Sequence, residues 1–360
     1  MSGETVIVGG GLAGAAAAIR LARDGEAVTV LERETGPHDK ICGEFLSTEA
    51  CCDLDDLGID LDGLGAVHVD RVRLWHRHRH AETRLPFVAR GLSRRILDAR
   101  LLERAADLGT NVREGVRVRQ ADATRVETSA GILEASAILL ATGKHDLRGH
   151  PRTRPATREG YVGFKMHFRL PETSVAHADA IDLVLFDGGY AGLQRVAADI
   201  ANLCLVVRSD RLAEHGGNWD RLFATVLREE GVSRWLAEAE PLFARPLAIA
   251  NLPYGYVCEA DDASGLWRLG DQAAMTASLT GDGMAIALRS ARLAAATRLA
   301  GGSASDYHRA VRRQAGTQVR RAMQLQRACE TPPLRGAAMT VLRAFPSLLG
   351  HFAKATRLPA

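Results

Sequence analysis

Apolar and polar positions follow a strand, helix, strand order at the start of the chain. An apolar run at 6–8 is of the buried parallel-strand kind, an alanine-rich helical segment follows, and a second apolar run covers 28–31. Between the first run and the helix, Gly9, Gly11 and Gly14 fall on the G-x-G-x-x-G spacing. Together these features predict a dinucleotide-binding βαβ unit.

Each residue of this turn has its own predicted task. Gly9 permits the tight turn, Gly11 lets the backbone approach a pyrophosphate, and Gly14 lets the helix pack closely on the strand. The helix that opens at Leu12 and Ala13 then directs its first amides at the phosphates.

The second apolar run ends at Glu32-Arg33, and both residues are assigned to the nucleotide site. Glu32 follows Gly14 by 18 positions, close to the offset of about 20 at which a carboxylate binds ribose hydroxyls. An unphosphorylated ribose is therefore expected. The strand before the glycines, the helix after them and the acidic residue all lie where a dinucleotide-binding unit has them. We therefore prefer a nucleotide site to an empty Rossmann-like fold.

The middle of the chain has a different pattern. Period-two alternation on both sides of a polar tip predicts a β-hairpin over 68–87. A helix is expected between an N-cap at Ser93 and a terminator at Gly109. From 151 to 262 strand-like runs predominate, interrupted by one predicted helix over 220–240.

Three histidines in the hairpin, His76, His78 and His80, are expected on one face of a strand. A metal site is the alternative interpretation. No carboxylate or cysteine flanks them in a ligand pattern, and arginines alternate with them. We therefore predict a solvated strand face and no metal.

The helical period returns after 262. A strand leads to Gly270-Asp271, and Gly281-Asp282-Gly283 opens a long alanine-rich helix. Two glycine-flanked helix starts suggest a ligand held at both ends. The tail from Ser303 is helical and its last part is amphipathic, with a break at Pro346; we prefer packing on the domain to contact with a membrane surface.

Length and composition narrow the classes of protein. The 360 residues are enough for two domains. A net charge of +3, with basic and acidic residues mixed along the chain, does not indicate nucleic-acid binding. No run of 18 apolar residues predicts a membrane span. The six cysteines form no C-x-x-C or disulfide framework, and the first strand leaves no room for a signal peptide, so a cytoplasmic, reduced protein is expected.

Several motifs, taken in order, resemble the FAD-binding elements of aromatic-hydroxylase-type flavoproteins, with the geranylgeranyl-reductase-like members nearest. They are GGGLAG with Glu32, LSRRILDARLL, ATG, and GDQAAMTASLTGDGMAIAL. In addition, CGEFLSTEA resembles the cysteine-containing loop of those proteins, and GGYAGL and LPYGY resemble their substrate domain.

The resemblance implies an α/β fold: a Rossmann-like FAD-binding domain of the glutathione-reductase type, an inserted antiparallel β-sheet substrate domain, and a helical C-terminal tail. The implied segments are 1–70, 91–150 and 262–330 for the FAD-binding domain, 71–90 and 151–261 for the substrate domain, and 331–360 for the tail.

It also implies how an extended FAD is held. The adenine ribose lies on Glu32 and the pyrophosphate on Gly11 to Gly14. Arg94 lies near the pyrophosphate and the ribityl chain, and Asp271 binds the ribityl hydroxyls. After the turn at Gly281, the backbone amides of Gly283 and Met284 face the flavin ring. These roles suit the chemistry of the side chains, because carboxylates bind sugar hydroxyls and arginine binds phosphate.

Cys42 is expected beside the cofactor, because the loop that leaves the second strand must pass near the pyrophosphate. The reductase-like relatives carry a cysteine here. The thiol is a candidate proton donor, with Glu44 as its hydrogen-bonding neighbour. The alternative is that Cys42 only fills space.

The resemblance implies an FAD-dependent monooxygenase that hydroxylates a small aromatic or polyketide-like molecule, with NAD(P)H as electron donor. Reduction of an alkene on a prenyl lipid, and a non-catalytic lipid or prenyl-protein chaperone, are the alternatives.

The sequence departs from related flavoproteins at three points. The chain has ATGKHD where hydroxylases carry an Asp-Gly pair, Ser278 replaces a usual proline, and the W-x-W-x-I-P signature of flavin halogenases is missing.

Overall fold

The computed structural model describes residues 3–152, 160–171 and 179–358. A parallel sheet of five strands contains the N-terminal βαβ unit. The strands are β1 Thr5–Val8, β2 Val28–Leu31, β6 Asn111–Arg113, β10 Ala137–Leu140 and β17 Trp267–Arg268. Their order is β17, β10, β1, β2, β6, so β1 lies in the centre. This is the predicted Rossmann-like arrangement.

Helices α1 (Leu12–Arg23), α3 (Arg94–Asp107) and α7 (Gly283–Leu299) pack together beside this sheet. The four alanines from Ala15 to Ala18 are completely buried in α1. Such short side chains let α1 approach its neighbours closely, which places the starts of α1 and α7 near the same edge of the sheet.

A second, larger sheet carries most of the remaining strands. They are β3 Phe45–Leu46, β4 Val67–His76, β5 Arg79–Gly91, β11 Tyr161–Arg169, β12 Ala180–Phe186, β13 Gly189–Arg195, β14 Ile200–Arg208, β15 Glu240–Pro241 and β16 Leu247–Ile249. The order is β15, β11, β14, β13, β12, β4, β5, β3, with β16 paired to β11. Its pairs are antiparallel except β12 with β4, which is parallel. The predicted fold class is confirmed, while the exact domain boundaries stay a prediction.

A small antiparallel sheet and the other helices complete the described chain. The small sheet contains β7 Val118–Ala121, β8 Arg125–Thr128 and β9 Gly131–Glu134; the helices are α2 Thr48–Asp56, α4 Ser209–Glu214, α5 Trp219–Val226, α6 Glu230–Leu236, α8 Ala304–Glu330, α9 Pro332–Ala344 and α10 Ser347–Ala355. Within the described ranges, every helix is too short or too polar to cross a bilayer.

Two predictions about local structure were wrong. The single helix over 220–240 is divided into α5 and α6, and α6 packs on the large sheet, where a Cβ at Gly231 would lie 2.7 Å from the ring of Trp75. The three histidines do not share a strand face. The hairpin turns at Arg77, which has a φ of +55°, so His76 and His80 belong to different strands.

The C-terminal tail packs on the body of the protein. Met339, Leu342 and Leu349 are buried, and Arg335 donates a hydrogen bond of 2.9 Å to the carbonyl of Phe186. The break predicted at Pro346 separates α9 from α10.

Candidate functional site

A long cavity of about 1740 Å³ runs from the glycine turn after β1 to the helices of the tail. Pockets for one small ligand usually measure about 300–1,000 Å³, so this cavity is larger than one small ligand needs. The predicted site residues that line it are Gly9, Gly11, Leu12, Ala13, Glu32, Arg33, Cys42, Glu44, Arg94, Asp271, Gly281, Gly283 and Met284. Gly14 lies behind the turn, between helix and strand.

The glycine turn has the geometry of a phosphate cradle. Gly9 has a φ of +108°, and a Cβ on Gly14 would lie 1.9 Å from the carbonyl oxygen of Gly9. Helix α1 begins after Gly11 with no side chain capping its first turn and no acidic residue in it. Its N-terminal amides are therefore suited to an anion in the cavity.

Two cations flank this turn. A Cβ at Gly11 would lie 3.2 Å from Nζ of Lys40 and 3.6 Å from Nη2 of Arg94. Asp98 fixes both, since it accepts hydrogen bonds of 2.7 and 2.8 Å from Arg94 and lies 3.4 Å from Lys40 Nζ. Burial raises the pKa of Asp98, but Arg94 and Lys40 outweigh it and lower the pKa overall. Lys40 was not predicted as a site residue, because no spacing rule assigns a role to a residue in this loop.

Glu32 lies at the end of β2 and is 6% exposed. Its carboxylate accepts hydrogen bonds from the amides of Gly10, at 2.8 Å, and Glu34, at 3.1 Å. These bonds orient the carboxylate and leave lone pairs for the hydroxyls of a ribose. Arg33 is half-exposed and pairs with Glu34 at 3.0 Å.

Asp271 also lines the cavity and lies 3.0 Å from the ammonium of Lys144. Burial lowers the pKa of Lys144, but Asp271 outweighs it and the pKa is raised, so the ammonium is retained. Helix α7 starts at Gly283 with no side-chain cap, and a Cβ there would meet only open space. Gly281 has a φ of +72° and lies against the ring of Phe45.

The loop that carries Cys42 is fixed on the large sheet. Asn202 donates a hydrogen bond of 2.9 Å to the carbonyl of Cys42, and Gln194 donates one of 3.1 Å to the carbonyl of Gly43. The amide of Glu44 lies 3.3 Å from the Cys42 sulfur. The thiol is half-buried and lines the cavity.

The carboxylate of Glu44 has other partners. It accepts hydrogen bonds of 2.6 Å from Lys165 Nζ, 2.7 Å from His167 Nε2 and 2.7 Å from the amide of Arg94. Among the described contacts, none joins this carboxylate to the thiol of Cys42. Glu44 therefore supports the loop as the acceptor of a buried ionic network.

Asp39, Glu44 and His167 have potential metal-ligand atoms within 4.8 Å of one another. However, the ammonium of Lys165 already lies between these carboxylates, 2.6 Å from Glu44 and 3.1 Å from Asp39. It supplies the positive charge that a metal would bring. The group is thus an ion-pair network, and its lysine and histidine were missed from the sequence.

Comparisons with known proteins agree with this arrangement. A family model described as an NAD(P)-binding Rossmann-like domain matches residues 7–44. The chain is 27% identical to menaquinone reductase of Mycobacterium tuberculosis over 325 residues, which are 82% of this chain and 76% of that protein. It is 36% identical to mouse squalene monooxygenase over 86 residues, a match that spans 23% of this chain and 15% of that enzyme.

Solved structures share the whole fold. The flavin-dependent brominase Bmp2 superposes with a TM-score of 0.80 at 18% identity, covering 98% of this chain and 93% of that one. PqsL from Pseudomonas aeruginosa superposes with a TM-score of 0.73 at 16% identity, and the match covers 94% of this chain and 99% of that one. At these identities the likeness concerns the fold. The chain has the fold of FAD-dependent monooxygenases and halogenases, which confirms the resemblance seen in the motifs.

Proposed function

We propose that this chain is an FAD-dependent oxidoreductase that acts as a monooxygenase on an apolar substrate. The observation that carries the proposal is the long cavity, which is polar and cationic at the glycine turn and apolar towards the tail. When bound, FAD supplies the redox and oxygen chemistry. The chain binds the cofactor, orients the substrate and excludes water.

The donor set of the cavity fits FAD. Glu32 offers its carboxylate to the adenine ribose, and Lys40 and Arg94 join the amides of α1 at the pyrophosphate. Asp271 and Lys144 suit the ribityl hydroxyls, as acceptor and donor respectively. The uncapped start of α7 would stabilise negative charge on a reduced ring.

The remaining part of the cavity suits an apolar or aromatic substrate, such as the small aromatic or polyketide-like molecule expected from the resemblance. Leu183, Leu185, Val206 and Leu252 line it, all contributed by the large sheet or the loop after it. These side chains exclude water from the space beside the cofactor. Halogenation is not proposed, because the sequence lacks the W-x-W-x-I-P signature.

Reduction of an alkene on a prenyl lipid is the second candidate. It is favoured by the similarity to menaquinone reductase over most of the chain and by the position of Cys42 in the cavity wall. In that reaction the thiol is a candidate proton donor. NAD(P)H remains the proposed electron donor for either reaction.

A single-turnover experiment separates the two candidates without requiring a known electron donor. The holoenzyme is reduced with dithionite without oxygen and mixed with a polyprenyl alcohol or with a panel of phenols. A monooxygenase keeps its reduced flavin spectrum until ¹⁸O₂ is admitted, and a phenol then gains ¹⁸O. Reoxidation of the flavin by the polyprenyl alcohol without oxygen would identify a reductase instead.

Glu32→Ala should weaken FAD binding about 10- to 150-fold while the chain stays folded, because it removes charge-assisted hydrogen bonds worth roughly 1.5–3 kcal/mol. Glu34→Ala is the matched control, since it removes a half-exposed carboxylate from the same loop. Calorimetric titration with FAD measures the affinity of both variants. Equal affinities in the two variants would show that Glu32 does not contact the ribose.

The tail presents an apolar outer face beside the cavity. Leu334, Val341, Phe345, Leu348 and Phe352 are all more than one-third exposed, and all but Phe345 also line the cavity. Residues 331–358 contain no aspartate or glutamate. Arg335 and Arg357 pair with aspartates elsewhere in the chain, whereas Arg343 and Lys354 have no ion-pair partner among the described residues. An anionic bilayer surface matches the apolar side chains and these two cations, so we propose that this face lies on such a membrane and admits the substrate from it.

Vesicle sedimentation tests the tail surface. The holoenzyme should sediment with vesicles of phosphatidylcholine and phosphatidylserine, and Phe345→Ser with Phe352→Ser should lower its partitioning roughly 10-fold. Ile132→Ser, an equally exposed site on β9, should change nothing. Wild-type protein that stays in the supernatant, or a dimer that buries the tail, would contradict the membrane role.

A further inference from the structure

Three hydroxyl groups meet in the wall of the cavity where the large sheet faces the loop before α7. The Oγ of Ser278 forms hydrogen bonds with the hydroxyl of Tyr190 and, at 2.7 Å, with that of Tyr254. All three residues line the cavity, and the two tyrosines are 6% and 5% exposed. We name this group the hydroxyl cluster.

The hydroxyl cluster keeps one hydrogen for a further acceptor. Each of the three hydroxyls carries one hydrogen, and the two hydrogen bonds between them use two. Within the described part of the chain, these hydroxyls form no other hydrogen bond. Burial raises the pKa of Tyr190 and of Tyr254, so both stay protonated at neutral pH. An O–H that faces the cavity without an acceptor from the protein favours a ligand that brings one.

The surroundings specify what kind of acceptor fits. Leu185 and Val206 lie opposite Tyr190 on the neighbouring strands, and both also line the cavity. A ligand here is therefore apolar over most of its surface. Ser278 precedes the turn at Gly281 by three residues, so this ligand lies close to the start of α7, where the flavin ring is proposed.

We propose that the hydroxyl cluster binds an oxygen atom carried on the ring of the substrate, either a carbonyl or a phenolic oxygen. This inference rests on the proposed function, because the substrate must lie beside the flavin. It narrows the substrate class to apolar ring compounds with an oxygen on the ring, such as naphthoquinones and naphthols. Hydrocarbons without such an oxygen leave the spare hydrogen unpaired.

Binding of three probes to the oxidised holoenzyme tests this class. The probes are 2-methyl-1,4-naphthoquinone, 1-naphthol and 2-methylnaphthalene, which share a ring system and differ in oxygen, and binding is followed by the change in flavin absorbance. At least one oxygen-bearing probe should bind about 2- to 13-fold more tightly than the hydrocarbon, the effect of one hydrogen bond. The preferred probe distinguishes a carbonyl from a phenolic oxygen.

A triple variant, Tyr190→Phe with Ser278→Ala and Tyr254→Phe, removes all three hydroxyls together. No hydroxyl is left without its partner, so the fold should be retained. We expect the preference for oxygen to vanish, while FAD content and affinity for 2-methylnaphthalene stay unchanged. Tyr256→Phe is the control, since this buried tyrosine is outside the cavity lining and should keep the preference.

Three results would overturn the inference: equal binding of all probes to the wild type, a preference retained in the triple variant, or loss of FAD from the triple variant. The first of these needs no variant. Failure of the proposed function has a different signature, namely wild-type protein that binds no FAD. Tryptophan fluorescence of the chain would then follow the same three probes and decide the role of the hydroxyl cluster independently.

Discussion

Replacing Gly14 by alanine should destabilise the chain by at least the roughly 1–3 kcal/mol of ordinary overpacking and abolish tight FAD binding. The new Cβ would lie 1.9 Å from the carbonyl oxygen of Gly9. That oxygen is a backbone atom, so no flexible side chain can move away. Helix α1 must separate from β1, and the phosphate cradle between them is lost.

Urea unfolding and FAD content measure this effect. Gly336→Ala is the matched control, because a Cβ at that position of helix α9 meets nothing within 4 Å. It should leave both quantities at the wild-type value or raise stability slightly, since alanine favours helix more than glycine does. An unfolding midpoint of Gly14→Ala equal to that of the wild type would refute the close helix-strand contact.

The second large effect is expected for Glu44→Ala, which should lower the free energy of unfolding by roughly 3–5 kcal/mol. Glu44 and Lys165 are both completely buried, and the carboxylate also accepts a hydrogen bond from His167. Removing the carboxylate leaves buried donors without their acceptor. The backbone contributes little to the difference, because alanine and glutamate meet the same strain at a φ of +59°.

Glu214→Ala provides the comparison. Glu214 pairs with Arg211 on the surface, and such exposed pairs contribute at most about 1 kcal/mol. Denaturant titrations should therefore give a clearly lower free energy of unfolding for Glu44→Ala than for Glu214→Ala. If Glu44→Ala were no less stable than Glu214→Ala, the buried network would not be what supports the Cys42 loop.

The nucleotide end of the cavity could be predicted from sequence because its signals are local. Gly9, Gly11, Gly14 and Glu32 belong to one short βαβ segment, where spacing alone determines the relative positions of turn, helix and acid. The same holds for the α7 start at Gly283. No long-range contact had to be known to assign these residues to a nucleotide site.

The charged partners could not be predicted in this way, because they come from distant segments. Lys165 is 121 residues from Glu44, and Lys144 is 127 residues from Asp271. Only the topology brings them together. A weak signal existed, because Lys165 and His167 alternate with the apolar residues Phe164, Met166 and Phe168, which places two polar side chains on one face of β11.

Local pattern also failed where packing changes the chain direction. The predicted helix over 220–240 has helical periodicity, yet α5 ends at Val226 and a separate helix, α6, begins at Glu230. Similarly, a period-two pattern cannot locate a hairpin tip, which is why the three histidines were assigned to one strand. In both cases periodicity indicates the type of element and does not show where the element ends.

The most direct test of the account is the binding of FAD to the purified chain. We predict a yellow protein with about one FAD per chain. Its dissociation constant for FAD should be far lower than that for NAD or NADP, because the start of α7 and Asp271 are available for the flavin half of the molecule. Calorimetry with the three nucleotides, together with the flavin absorbance spectrum, provides the measurement. A colourless chain that takes up no FAD, or one that binds NAD as tightly as FAD, would contradict it.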